Sequence, residues 1–128
     1  MTNTLGPAAT TVSFIVTRDR EKARGFYGGI LGFKQTHEDN FALVYDMNGR
    51  SLRISTLKDF EPQQHTVLGW GVPDIAATVK VLMAKGVSFN RYPGLEHDEL
   101  GIWTAPGSTA KIAWFLDPDG NNLSLTQF

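Results

Sequence analysis

The chain has 128 residues, 41% of them hydrophobic, and its 12 basic and 13 acidic side chains leave a formal net charge of −1. This length fits one domain over residues 1–128, long enough to bury roughly two-thirds of its unfolded surface. The balanced charge argues against nucleic acid and anionic membranes as partners. The lack of cysteine excludes disulfides and thiolate chemistry. With no signal-like N-terminus and no membrane-spanning apolar run, we expect a cytoplasmic protein.

The first half of the chain predicts a strand, a helix and three further strands. Residues 11–17 are rich in β-branched and aromatic residues, which favours a strand. Asp19 is a typical helix N-cap, and the helix should run to about Leu31 and stop at Gly32. Short strands follow at 34–37, 41–47 and 50–57, and the last two flank the strong hairpin signal Asn48-Gly49.

The second half repeats this order. A strand at 66–72 leads to Pro73-Asp74, which should open a helix through about Lys85 that Gly86 closes. Strands are predicted at 87–91, 112–116 and 122–127. The Gly/Pro/acidic excursion 92–110, with a short strand at 102–105, interrupts them, and long loops in compact domains are often functional. The sequence therefore predicts an α+β fold of tandem βαβββ modules, about 11–58 and 65–128.

The most informative segment is the last connection, Asp117-Pro118-Asp119-Gly120-Asn121, between two apolar runs. Proline fixes φ, glycine accepts a positive φ, and the aspartates can accept backbone hydrogen bonds, so the segment predicts a tight turn. Strands 112–116 and 122–127 should therefore pair antiparallel. In that register Phe115 lies opposite Leu123, and Trp114 lies opposite Ser124.

This turn resembles the DPDGNxxEL motif that ends a domain of the vicinal oxygen chelate superfamily, which holds glyoxalase I, bleomycin-resistance proteins, fosfomycin-resistance proteins and extradiol dioxygenases. Residues 23–33 read ARGFYGGILGF, similar to the AxxFYxxxLGF helix of that superfamily. The resemblance spans nearly the whole chain. It implies that the tandem modules form a curved mixed sheet around a ligand cavity.

Strand alternation sorts the side chains onto two faces. One parity should pack under the apolar stripes of the helices: Ile15, Leu43, Leu52, Ile54, Leu68, Trp70, Leu123 and Leu125. The other parity is less apolar and should line the cavity that the resemblance implies: Val12, Phe14, Val16, Val44, Arg53, Ser55, Val67, Gly69, Trp114, Ser124 and Thr126.

The resemblance also allows a test for a metal site. Metal-binding members carry a histidine seven residues before the aspartate of each module and a glutamate seven after the first aspartate of DPDG; these positions are Val12, Val67 and Ser124. Valine offers no lone pair, and a neutral serine hydroxyl is a poor ligand for a transition metal. We therefore expect no metal and no cofactor, and lyase or dioxygenase chemistry loses its support.

Three histidines remain as possible ligands. His65 shares the strand parity of Val67 and is interpreted as a solvated strand end rather than a displaced metal ligand. His97 lies in an acidic stretch and is interpreted as part of a solvent-exposed loop rather than a cation site. His37 is expected at the surface.

Arg53 and three aromatic residues are the remaining candidates for ligand binding. Arg53 should face the cavity, where it would grip an anionic or carbonyl-bearing ligand; the alternative is an arginine at the sheet edge or one tied to Asp46 or Asp117. Phe14, Trp103 and Trp114 would stack a planar ligand or fill the core, and the register of Trp103 is undetermined.

Two function classes compete. The first is a non-catalytic protein that sequesters a bulky aromatic drug or antibiotic, as bleomycin-resistance proteins do. The second is a metal-dependent glyoxalase- or dioxygenase-type enzyme with a shifted metal site formed by His65 and the acidic loop; a metal-independent isomerase or hydrolase is a third. The sequence favours the binding protein, so no catalytic residue is assigned. An apolar sheet face on each module predicts a homodimer.

Overall fold

The structure, a computed structural model, describes residues 3–128 and confirms the α+β fold of two βαβββ modules. The first module holds β1 Val12–Thr17, α1 Arg20–Ala23, a π-helical segment Arg24–Ile30, β2 Lys34–Glu38, β3 Ala42–Met47 and β4 Arg50–Thr56. The second holds β5 Thr66–Gly71, α2 Ile75–Ala84, β6 Phe89–Asn90, β7 Trp103–Thr104, β8 Lys111–Leu116 and β9 Asn122–Gln127.

Each module builds its own mixed sheet with the same strand plan. In the first, the order is β1-β4-β3-β2, with β1 parallel to β4 and the other pairs antiparallel. In the second, the order is β5-β9-β8-β6, with β5 parallel to β9 and β7 also pairing with β8. The hairpin prediction holds, because Asn48 and Gly49 both take positive φ, 54° and 95°, as the hairpin signal requires. The predicted strands are present, with two in the second module shorter than expected.

The first helix differs from its prediction. It begins as expected, with the Asp19 carboxylate accepting the N–H groups of Glu21 and Lys22, but only one α-turn follows before the chain widens into the π-helical segment. The Leu31 N–H then donates to the Phe26 carbonyl, five residues back, at 2.9 Å. The wider turn lets the adjacent Phe26 and Tyr27 both enter the core.

Both modules contribute to one apolar core between the sheets and the helices. Its fully buried strand side chains come from the parity predicted to face the helices and include Leu43, Leu52, Ile54 and Leu123. The aromatic rings of Phe26 from the first module and Phe115 from the second lie 6.3 Å apart. No helix in residues 3–128 is long and apolar enough to cross a membrane.

The predicted strand 87–91 shortens to Phe89–Asn90, and the short strand at 102–105 shortens to Trp103–Thr104. The chain between them is held by turns and side-chain hydrogen bonds instead of a sheet ladder. For example, the Asp98 carboxylate accepts the N–H groups of Leu100 and Ile102, both at 2.9 Å. This arrangement folds the excursion back against β8.

Candidate functional site

The motif turn 117–121 is a buried connection between the two modules. Asp117 accepts the Tyr27 hydroxyl at 2.6 Å, the Asn121 side-chain amide at 2.8 Å and the backbone N–H groups of Asp119 and Asn121. Asn121 also donates to the Val16 carbonyl on β1 at 3.0 Å. Burial is the main cause that raises the pKa of the Tyr27 hydroxyl, and the charge of Asp117 adds to it, so Tyr27 stays a donor.

Asp119 extends this connection to the end of β1. Its carboxylate accepts the Thr17 hydroxyl and the Arg18 backbone N–H, and the Arg18 guanidinium donates to both the carboxylate and the carbonyl of the same residue. Because Asp117 and Asp119 are both buried and both occupied in this way, the motif turn joins the modules. It offers no free carboxylate for a ligand.

The candidate binding surface is the side of the two sheets that faces away from the core, called here the open face. Its strand positions are those of the predicted cavity-lining parity. Phe14 is 66% exposed, Val12 43% and Val67 37%. Exposed apolar side chains next to each other on a sheet are typical of an interaction surface.

A cleft of about 330 Å³ lies on this face where β1 and β5 approach each other. It brings Phe14 together with Val67, which sits in a bulge between Thr66 and Leu68. The remaining lining residues are Ile15, Val16, Ser55, Leu57, Phe60, Gln63 and Asn121. The cleft is open to solvent and mainly apolar. Leu57 follows β4 on the parity of Arg53 and Ser55, whereas Phe60 and Gln63 come from the connection between modules, which strand alternation could not assign to a face.

Arg53 lies beside this cleft on the open face. It pairs with Phe14 on β1 and with Val44 on β3, which places the three side chains in one row across the sheet. Within residues 3–128 its guanidinium makes no hydrogen bond or ion pair. The alternative ties to acidic residues are wrong, because Asp46 caps the Gly49 turn and Asp117 is buried in the motif turn.

An aromatic cluster formed by Tyr92, His97, Trp103 and Trp114 occupies the open face of the second module. The Trp114 ring lies 5.9 Å from Trp103, 5.3 Å from Tyr92 and 6.1 Å from His97, measured between centroids. Trp114 is therefore at the centre, and Trp103, whose register the sequence left undetermined, lies beside it. The Trp114 indole N–H donates to the Thr66 hydroxyl at 3.1 Å, next to Val67 of the cleft.

Ser124 lies beneath this cluster and is largely shielded. The predicted pairs Trp114–Ser124 and Phe115–Leu123 are both present, and Gly69 pairs with Ser124 on its other side. The Ser124 hydroxyl occupies the space that a side chain at Gly69 would need. Ser124 is thus on the predicted face, but it is buried and its hydroxyl is directed over the neighbouring strand.

The histidines are placed differently from one another. His65 is exposed, and His37 is exposed and lies 3.2 Å from the Asp39 carboxylate, both as predicted for surface positions. The interpretation of His97 as a solvent-exposed loop residue is wrong. It is half-buried because its ring packs against Trp114 and hydrogen-bonds backbone on both sides, at Tyr92 and Gly101.

The open face does not fit the divalent metal that the superfamily resemblance implies. Val12 and Val67 project hydrocarbon from it, and Ser124 is shielded. Val12 and Val67 lie 55 residues apart, and two residues further on Phe14 pairs with Arg53 as Gly69 pairs with Ser124. Arg53 is therefore the first-module counterpart of Ser124, and its positive charge opposes a cation. Residues 3–128 hold no group of three potential metal-ligating side chains.

Sequence reasoning missed Tyr92, His97 and Thr66 as parts of this site. Tyr92 is held by the Asn122 amide, which donates to the tyrosine oxygen and to the Gln64 carbonyl, both at 2.8 Å. The useful signal was aromatic enrichment: an excursion rich in glycine and charge nevertheless carries Tyr92 and Trp103.

Two βαβββ modules joined through a buried Asp-Pro-Asp-Gly-Asn turn define a glyoxalase-like fold. The sequence matches the Glyoxalase/Bleomycin resistance protein/Dioxygenase superfamily over residues 7–125. The chain belongs to this superfamily.

Known structures with this fold align over nearly the whole chain. An integron cassette protein from the mobile metagenome of the Halifax Harbour sewage outfall is 24% identical, with a TM-score of 0.72, covering 94% of this chain and 99% of that one. A superfamily member from Sphaerobacter thermophilus is 23% identical, with a TM-score of 0.72 and coverages of 94% and 98%. A glyoxalase family protein from Enterococcus faecalis is 18% identical, with a TM-score of 0.69 and coverages of 91% and 93%. Comparison with curated proteins found no match.

Proposed function

We propose that this protein binds a bulky aromatic molecule, such as a drug or antibiotic, without a metal ion and releases it chemically unchanged. The observation that carries the proposal is the aromatic cluster around Trp114, which lies on the same open face as the apolar cleft. The hydrogen bond from Trp114 to Thr66, the neighbour of Val67, connects the two regions. Apolar walls with few polar groups are typical of small-molecule sites.

The aromatic cluster suits a planar ligand. The rings of Trp103 and Trp114 are tilted by 36°, and Tyr92 meets Trp114 edge-on at 88°, so the indole faces are not all covered by one another. Stacking on such a ring contributes about 0.5–1.5 kcal/mol beyond the burial of its area. Once lost area is included, Trp114→Ala should weaken binding by more than about tenfold.

Arg53 favours a ligand that carries an anionic or carbonyl oxygen. Its guanidinium lies in a row with Phe14 and Val44 and has no protein partner in residues 3–128, so its planar donors remain available. A ligand that places an aromatic group in the cleft can direct an anionic or carbonyl oxygen towards this side chain. The favoured class is therefore an aromatic compound with an anionic or carbonyl substituent.

Binding and turnover are tested together by titrating aromatic antibiotics, including bleomycin-like and enediyne-type compounds. Tryptophan emission should be quenched with saturation at one molecule per site, and mass spectrometry should recover each ligand unchanged. Phe41→Ala is the matched control for Trp114→Ala, because Phe41 is exposed and adjoins β3 on the parity opposite to the open face. Turnover of any compound, or binding indifferent to Trp114, contradicts the proposal.

A second pair of variants tests whether Arg53 recognises an anionic or carbonyl group of the ligand. Arg53→Ala should weaken anionic or carbonyl-rich ligands more than neutral ones of the same size, whereas Arg50→Ala should affect neither. Arg50 is a suitable control because it is an exposed arginine on the same strand with the opposite parity. Equal losses for neutral and anionic ligands would show that Arg53 contributes packing alone.

The alternative function is a metal-dependent glyoxalase-type lyase or dioxygenase-type enzyme with a shifted site. His97 and Asp98 would have to leave backbone hydrogen bonds to join His65 in such a site. Stoichiometric metal that is lost in His65→Ala would favour this alternative. The cytoplasmic location and the homodimer stay predictions, and sedimentation as a monomer at micromolar concentration would contradict the dimer.

A further inference from the structure

His97 has an unusual set of partners for a loop histidine. Its Nε2 atom lies 3.0 Å from the Tyr92 backbone nitrogen, which donates, and its Nδ1 atom lies 2.7 Å from the Gly101 carbonyl oxygen, which accepts. A backbone N–H can only donate and a carbonyl can only accept. His97 must therefore be neutral, with its proton on Nδ1 and the lone pair on Nε2.

These two bonds close the segment 92–101 onto itself beside the aromatic cluster. One bond fixes the backbone of Tyr92, and His97 also forms an isolated bridge with Trp103 across the loop. Arg91 fastens the same segment from outside by donating to the carbonyls of Asp98 and Glu99. His97 is thus tied to both residues that flank Trp114, through its ring to the Tyr92 backbone and through its own backbone to Trp103.

Protonation cannot be accommodated in this arrangement. A second proton on Nε2 would point at the Tyr92 N–H, so two donors would face each other and neither would have an acceptor. The bond from Nδ1 to the Gly101 carbonyl would survive. The expected effect is a local release of Tyr92 and the adjoining loop, while the sheet remains intact.

We propose that His97 is a positioning residue that holds Tyr92 against Trp114 only while it is neutral, so that aromatic ligands bind more weakly as the pH falls. The inference rests on the proposed function for its effect on binding. The hydrogen-bonding state of His97 itself does not depend on any ligand. Histidine is the side chain whose ordinary charge change falls between about pH 5 and pH 8.

The surroundings of the ring contain little else that titrates. Tyr92 and Trp114 pack against it, and only Tyr92 carries an ionisable group. No Lys, Arg, Asp or Glu side chain bonds to the ring in the described part of the chain. Glu96 and Asp98 flank it in sequence, but the Asp98 carboxylate is engaged by backbone N–H groups and Glu96 is exposed.

The test compares three proteins at about pH 7.5 and about pH 5.5, with naphthalenesulfonate as a probe whose charge is constant in this range. The wild type should bind about two- to tenfold more weakly at the lower pH, the factor expected for one lost hydrogen bond. His97→Gln can accept from Tyr92 and donate to Gly101 without titrating, so its affinity should not depend on pH. His97→Leu should bind weakly at both values.

A ligand-free measurement separates this inference from the proposed function. Nitrogen NMR of the wild-type ring at about pH 7.5 should show an unprotonated Nε2 and a protonated Nδ1. On acidification, tryptophan emission should shift to longer wavelength in the wild type and not in His97→Gln. His65→Gln, which removes the exposed histidine beside Thr66, should behave as the wild type does.

The outcomes are distinguishable. If the probe does not bind at any pH but the NMR and emission results hold, the proposed function fails and the role of His97 in the loop stands. If the probe binds with the same pH dependence in the wild type and in His97→Gln, the role of His97 is wrong and the proposed function stands. A proton on Nε2 at about pH 7.5 also overturns the inference.

Discussion

Removing the Tyr27 hydroxyl should destabilise the protein substantially without touching the open face. In the wild type this hydroxyl donates to the buried Asp117 carboxylate at 2.6 Å, and the tyrosine ring is fully buried. Tyr27→Phe keeps the ring but deprives a buried carboxylate of one donor. A hydrogen bond to a charged group contributes about 1.5–3 kcal/mol. For a domain of this size that corresponds to a fall in melting temperature of about 5–15 °C.

Chemical denaturation of Tyr27→Phe measures this loss, and Tyr45→Phe provides the matched control. Tyr45 is equally buried, but its hydroxyl makes only a 3.5 Å contact with Gln35, so its removal should cost less than about 1 kcal/mol. In a double-mutant cycle with Asp117→Asn the two losses should not add, because the residues share one interaction. Equal losses for both tyrosines, or additive losses in the cycle, would refute the role of the bond between modules.

Three further outcomes are expected. Since burial raises the folded-state pKa of Tyr27, the stability that its neutral form contributes is present below about pH 10 and lost above it; the stability difference between wild type and Tyr27→Phe should therefore shrink in alkaline denaturation. Gly69→Ala should cost about 1–3 kcal/mol because the new methyl overlaps the Ser124 hydroxyl, and adding Ser124→Ala should recover most of it in thermal melts. Elemental analysis should find well under one equivalent of zinc, nickel, iron or manganese, and EDTA should leave the melting temperature unchanged, because Val12 and Val67 offer no ligand.

The sheets and hairpins could be predicted because their signals are local. Asn48-Gly49 needs two positive φ angles in succession, and the motif turn 117–121 fixes the register that sets Trp114 opposite Ser124. Alternation then assigned Val12 and Phe14 to the open face, where the structure places them. These features depend on a few neighbouring residues, so the sequence alone sufficed.

The π-helical segment and the excursion loop could not be predicted, because their causes are not periodic. A 3.6-residue pattern does not distinguish Phe26 and Tyr27 entering the core together from a frayed helix end. In the excursion, the decisive contacts are single hydrogen bonds from His97 to the backbone at Tyr92 and Gly101. Such bonds depend on distances that no spacing rule encodes, so the aromatic cluster emerged only in three dimensions.

The connection between modules has a consequence for how the chain is made. Thr17 and Asp119, which hydrogen-bond each other, are separated by 102 positions. During synthesis the strand and helix of the first module therefore leave the ribosome long before the turn that completes their burial exists. Until then Phe26 and Tyr27 have no partner from the second half, and early compact states expose these rings. Productive folding of the N-terminal half thus waits for residues 117–121 to be translated, and nascent chains interrupted before Asp117 are expected to be targets for chaperones and proteases.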